Sequence, residues 1–385
     1  MTHFLLMGSV IFGSVLSRNP DHWRSEIYWT SAAILFWISI VIARQFHWSA
    51  ALGFFWASLS AIKAFFYPQS PYIQMGKASV IAFDSVTSQS LVYLMIAVIP
   101  FVLLKKKNYG SISQGFAFLC FIDSIIVLSR WILGDSPSGL MDNSALDACM
   151  IACTWSFLAI KPMPQDYDCE DLRDVKKNLL KFARDLIWIC TPIAAIFATQ
   201  SSTGLAAFAI AIAGSLFMRI QSKLLTLGAI FGIGWTALIV GFMTIGKDQL
   251  LNPNGRFAQW DLAMKFFEKK IEFFFGAGPG TYFILGPLIQ LKNNPILNHY
   301  PNFYIYLHND WMQILFELGC VGLALAGLVY LYSLRNAYKK GDEWVFSSLL
   351  AYGFVGLFQP PLRIMTFSCL GAFLLASAFN KIKNV

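Results

Sequence analysis

Apolar stretches recur along the chain at the length that carries a helix across the hydrocarbon core of a bilayer, about 17–25 residues. Read by hydropathy, they predict twelve transmembrane helices. These fall at about 4–17, 27–43, 47–66, 86–104, 115–133, 144–160, 186–200, 203–218, 224–245, 310–332, 344–359 and 363–379. Between them lie short polar connections, and two longer ones at 161–185 and 246–307. The expected fold class is therefore an all-α integral membrane protein with a large loop between spans nine and ten. One polytopic membrane domain is expected over 1–385, because no long polar region stands apart from the spans.

Lysine and arginine set the orientation of such a chain, since they accumulate on the cytoplasmic side. With Lys105–Lys107 placed inside and the sides alternated, 17 cations fall on cytoplasmic segments and only four, Arg18, Arg24, Lys77 and Arg363, on short outer ones. Both termini are then cytoplasmic. The loop 246–307 lies on the outer face.

Composition narrows the reading further. The 385 residues are 57% hydrophobic and 13% charged, against about 25% charged in a soluble domain. The net charge of +8 is accounted for by topology, so nucleic acid is not an expected partner. Of seven cysteines, six lie in apolar runs and none forms a Cys-x-x-Cys pair, so neither a metal cluster nor a disulfide framework is expected. The apolar N-terminus lacks a basic leading region, which argues against a cleaved signal peptide.

The segment 161–185 balances six cations against six acids and reads as a solvated connecting helix. The outer loop is different. It holds Trp260, many Phe and Tyr, and a Gly-Pro cluster, which is not the composition of disorder. A folded lid on the outer membrane surface is expected. Residues 256–272 predict a helix that the cluster Gly276–Gly280 ends; without a Gly-Lys-Ser/Thr or a preceding strand, that cluster is a turn and not a phosphate loop.

The lid carries six cations against four acids, a surplus that suits an anionic ligand. Arg256 follows the turn pair Asn254-Gly255 and so falls at a helix start, where backbone N–H groups also face an anion. A guanidinium there can clamp a phosphate with two bonds, although a capping or packing arginine would look the same. Further on, His308 falls where the lid meets span ten. It titrates near neutrality and can accept a proton from a hydroxyl. Asn309, Gln313 and Glu317 recur every fourth residue behind it and form one polar stripe. Glu317 lies about two turns into the membrane, where ionisable groups usually face the protein interior. Taken alone, a histidine at a helix end is commonly a cap; the stripe favours chemistry. Asp123 and Arg130 lie seven apart near one helical face, which fits a buried structural pairing or a transport pathway. Arg363, after Gln359-Pro360-Pro361, either joins the anion site or snorkels to the interface.

In order, Asn-Gly-Arg-x-x-x-Trp at 254–260, Gly-x-Gly-x-Gly at 276–280 and His-Asn-x₇-Glu-x-Gly at 308–319 resemble the O-antigen ligase and O-antigen polymerase family. Twelve spans with a long outer loop between the ninth and tenth match as well. The resemblance implies a GT-C-like membrane glycosyltransferase of the bacterial inner membrane with a periplasmic active site. It implies transfer of a glycan from undecaprenyl diphosphate to an acceptor sugar hydroxyl, on lipid A-core for a ligase or on another lipid-linked repeat unit for a polymerase. No cofactor and no metal are implied. By motif match Arg256 would hold the donor diphosphate and His308 would activate the acceptor hydroxyl, with Trp260, Asn309, Gln313, Glu317 and Arg363 as substrate-binding candidates. Members often carry another arginine just after the seventh span. Here Thr199–Gly204 holds no cation, so Arg363 or a lid lysine substitutes, or fewer charges hold the donor. The competing reading is a secondary transporter of a small anion built on Asp123, Arg130 and Glu317. A membrane scaffold without catalysis is a third.

Overall fold

A computed structural model describes residues 109–141, 143–159, 172–219, 256–268, 271–278, 280–282, 285–286, 289, 307–363 and 365–379. Among these residues the secondary structure is helical, with no strand. Helices Gly115–Ile132, Ser202–Arg219 and Asp310–Lys340 are long and apolar enough to cross a membrane. They fall on the spans predicted at 115–133, 203–218 and 310–332. Shorter apolar helices, Ser144–Leu158, Leu186–Thr199, Glu343–Phe358 and Leu370–Phe379, fall on four more. The spans expected at 4–17, 27–43, 47–66, 86–104 and 224–245 lie outside the described residues.

The chain divides into two compact units. One contains α1 (Tyr109–Ile132), α2 (Ser144–Thr154), the short α3 (Ser156–Ala159), α4 (Leu172–Thr199) and α5 (Ser202–Arg219), together with residues 337–355. Helix α2 is its centre: every residue from Asp147 to Thr154 is buried. Asn143 caps it, its side chain accepting from the N–H groups of Ala145 and Leu146. Helix α5 packs on α2, and a Cβ at Gly204 would lie 2.4 Å from the Ala148 Cβ. This is the small-on-small contact by which membrane helices approach closely. Helix α4 packs on α1, with Phe121 and Trp188 stacked at 4.2 Å. The apolar run predicted at 186–200 is the C-terminal half of α4, so the charged segment before it continues into the span without a break.

The turn between α1 and α2 folds onto two buried carboxylates. Asp147 accepts from the N–H groups of Gly139 (2.7 Å), Met141 (2.9 Å) and Asn143 (3.3 Å), and Asp123 from that of Leu140 (2.7 Å). Arg130 donates to the Ser138 carbonyl at 3.3 Å and to its hydroxyl. These bonds of Asp123 and Arg130 go to the turn, and they account for two membrane charges as structural groups. At the other end, Ser215 and Arg219 of α5 both donate to Glu343, Arg219 Nε at 2.5 Å. Glu343 opens α9 (Glu343–Phe358).

The other unit contains α6 (Arg256–Lys265), α7 (Ile271–Phe275), most of α8 (Asp310–Lys340) and α10 (Met365–Phe379). The helix expected over 256–272 is broken: α6 ends at Lys265, a 3-10 turn spans Phe266–Glu268, and α7 follows. The break redirects the chain onto Phe316, whose ring meets those of Phe266 (4.9 Å) and Phe267 (5.6 Å). Around them Ala263, Ala277, Tyr282, Leu307 and Leu315 close a core between lid and helix.

Candidate functional site at the junction of lid and helix α8

Helix α8 begins immediately after His308, and its first turns are braced by their own polar side chains. Asn309 Oδ1 accepts from the Met312 N–H at 3.0 Å, the bond of an N-cap. Gln313 Oε1 accepts from the Leu307 N–H at 3.2 Å, and Gln313 Nε2 donates to Glu317 Oε1 at 2.5 Å. Asn309 (5% exposed), Gln313 (3%) and Glu317 (0%) are all buried. Of the stripe read from the sequence, Glu317 and Gln313 form a chain of hydrogen bonds running from the helix interior to the backbone just before His308, and Asn309 caps the helix beside it. Its members have partners within the protein. That satisfaction is what makes a buried carboxylate tolerable here.

His308 itself is half-buried and has φ +49°. A residue with a side chain adopts that left-handed conformation only when its surroundings dictate it, and such strain gathers at functional sites. The brackets on either side supply the constraint: Leu307 is held by Gln313, and Asn309 is committed to the cap.

The lid meets this same backbone. Trp260 Nε1 donates to the Leu307 carbonyl at 2.8 Å. Trp260 lies four residues after Arg256 in α6, so the helix that opens with Arg256 is tied to the residue preceding His308. The Arg256 side chain lies outside the described residues; its backbone forms the first residue of α6. Arg363, whose side chain is likewise outside them, ends a 3-10 turn over Pro361–Arg363. That turn is anchored to the start of α8, because the Leu362 N–H donates to Asp310 Oδ2 at 2.9 Å. Two hydrogen bonds between side chain and backbone thus bring the segments bearing Arg256, His308 and Arg363 to one end of α8. Ser201, in the stretch where no cation follows the seventh span, belongs to the other unit.

Two glycines fix how the lid sits. Gly319 interrupts α8 with φ +72° and ψ −176°. The interruption leaves carbonyls facing outward, and the lid backbone takes them: Ala277 N–H bonds to Phe316 O at 2.8 Å and Gly278 N–H to Glu317 O at 2.9 Å. A Cβ at Gly276 would lie 2.3 Å from Glu317 O, and one at Gly319 would lie 2.3 Å from Phe274 O. Gly276 and Gly319, from two separate sequence motifs, are each other's steric requirement. The sequence singled out both as motif positions; their pairing, and the anchoring role of Asp310, had no signal in it.

Residues 187–327 match the family model described as O-Antigen ligase. The match covers the C-terminal half of α4, α5, the lid and the first half of α8, and so includes every motif residue from Arg256 to Gly319. A search of curated proteins finds no match to the chain.

Proposed function

We propose, from the match of residues 187–327 to the family model described as O-Antigen ligase, that this chain is a metal-independent, inverting membrane glycosyltransferase of the O-antigen ligase and polymerase type. Its donor is a glycan on undecaprenyl diphosphate, and its acceptor is a sugar hydroxyl on lipid A-core or on a second lipid-linked repeat unit. It works at the periplasmic face of the bacterial inner membrane, in a GT-C-like domain of twelve spans with both termini cytoplasmic, beneath the lid 246–307.

The observation that carries this reading is the bond from Trp260 to the Leu307 carbonyl, which ties the helix headed by Arg256 to the backbone next to His308. The reaction needs both groups. The acceptor oxygen attacks the anomeric carbon and passes its proton to the His308 imidazole. On the opposite side the bond to the diphosphate breaks, and the diphosphate leaves with the electron pair. Arg256, with Arg363, stabilises the charge that develops there. One in-line displacement inverts the anomeric centre. Trp260 orients α6, and Asn309, Gln313 and Glu317 serve the substrate by holding His308 in place. The transporter reading relied on Asp123, Arg130 and Glu317, and Asp123 Oδ1, the Arg130 guanidinium and Glu317 Oε1 each bond within the protein.

Arg256→Ala and His308→Ala test the assignment. Both variants should reach the membrane at normal levels and abolish surface polysaccharide on a gel of the producing strain. Polysaccharide made normally by both would refute it. A deletion strain separates the two acceptors: a single-repeat band means polymerase, and bare core with accumulated lipid-linked polymer means ligase.

A further inference from the structure

The lid helix carries a buried carboxamide with nothing to bond. Gln259 is 3% exposed, and among the described residues neither its Nε2 nor its Oε1 has a hydrogen-bond partner. Leaving such a group unpaired is destabilising, a cost that an apolar side chain of the same length would avoid. Its surroundings are not loose. Ala263, one turn along α6, is 1% exposed within the core against α8, and the adjacent Trp260 holds the Leu307 carbonyl. A buried amide with both of its polar atoms unmatched calls for a ligand that completes it.

Its position says which part of a ligand. Gln259 lies three residues from Arg256 in α6, and positions so spaced are neighbours on one side of a helix, about 5–6 Å apart. If Arg256 holds the donor diphosphate, Gln259 lies about one sugar ring from it on the same helix. We propose that Gln259 is a sugar-binding residue, its carboxamide bonding the polar substituents of the sugar attached directly to the donor diphosphate. Nε2 donates and Oε1 accepts, which suits adjacent hydroxyls or an acetamido group, each able to do both. The inference rests on the donor assignment made above and adds the residue that reads the glycan.

The test uses the full-length protein in lipid nanodiscs and its Gln259→Met variant, which keeps the length of the side chain and removes its polarity. Binding is read by thermal shift with two probes: undecaprenyl diphosphate, and the undecaprenyl diphosphate-linked glycan extracted from a strain deleted for this gene. Without ligand the variant should melt no lower than wild type. The bare lipid should bind both proteins alike, whereas the glycan-bearing lipid should bind the variant about ten-fold more weakly, the effect of losing a hydrogen bond to a buried polar group. Equal affinity of both proteins for both probes would overturn the inference, and so would an equal loss for both probes, which would place the defect away from the sugar. Failure of wild type to bind either probe would instead overturn the donor assignment, and this inference with it.

Discussion

Replacing Gly319 by alanine should detach the lid from α8. Its backbone, φ +72° and ψ −176°, lies in a region open essentially to glycine, and holding a side chain there costs about 1–3 kcal/mol. The new Cβ would also lie 2.3 Å from Phe274 O and 2.6 Å from Gly276 N. Both are backbone atoms, so no rotamer change relieves the contact. The strands of chain must separate, and the bonds of Ala277 and Gly278 to the Phe316 and Glu317 carbonyls stretch or break at about 0.5–1.5 kcal/mol each. Together this is about 2–6 kcal/mol, at the severe end for one substitution. Thermal unfolding of the detergent-solubilised full chain should show it as a clear fall in melting temperature, and surface polysaccharide should be lost. Gly276→Ala should behave alike. The double variant should cost much less than the sum, because each single change already removes the same contact. A Gly319→Ala protein that melts with wild type and makes normal polysaccharide would refute the account of this junction.

Two further outcomes follow from local geometry. At His308, φ +49° predicts that glycine and valine part company: His308→Gly should lose transfer yet melt no lower than His308→Ala, while the β-branched His308→Val should be less stable than alanine by about 1–2 kcal/mol; equal melting of the glycine and valine variants would count against the strained conformation. In the turn before α9, burial pushes the Asp342 carboxyl up from its ordinary value, with Lys340 opposing, and its Oδ2 has no hydrogen-bond partner. A carboxyl raised in the folded state binds its proton more tightly there, so its contribution to stability is full below the unfolded value and is lost as pH rises through the folded one. Melting of wild type relative to Asp342→Asn should therefore decline between acidic and neutral pH; a difference that stays flat across that window would dismiss the effect.

The parts of this molecule that were legible in its sequence are those set by local composition. A run of apolar residues declares a span because bilayer thickness fixes its length, and the spans predicted from 115 to 218 and from 310 to 379 fall on helices. Asn309, Gln313 and Glu317 were visible as a stripe behind His308 because helical periodicity brings them to one face. What escaped depends on contacts between distant segments. Asp310 is a first-turn acid of α8, and only the arrival of Leu362 makes it an anchor for the turn bearing Arg363. Asp123 and Arg130 were spaced as a pair, but the turn before α2 met each separately, the Leu140 N–H donating to Asp123 and the Ser138 carbonyl and hydroxyl accepting from Arg130. Gln259 gave no signal at all, since a glutamine in a lid helix reads as solvated until the packing of Ala263 and Trp260 against α8 buries it. The same logic explains why the two motif glycines are spaced so far apart along the chain. One creates outward-facing carbonyls by breaking a membrane helix, the other brings a lid backbone close enough to use them, and neither has a purpose without its counterpart.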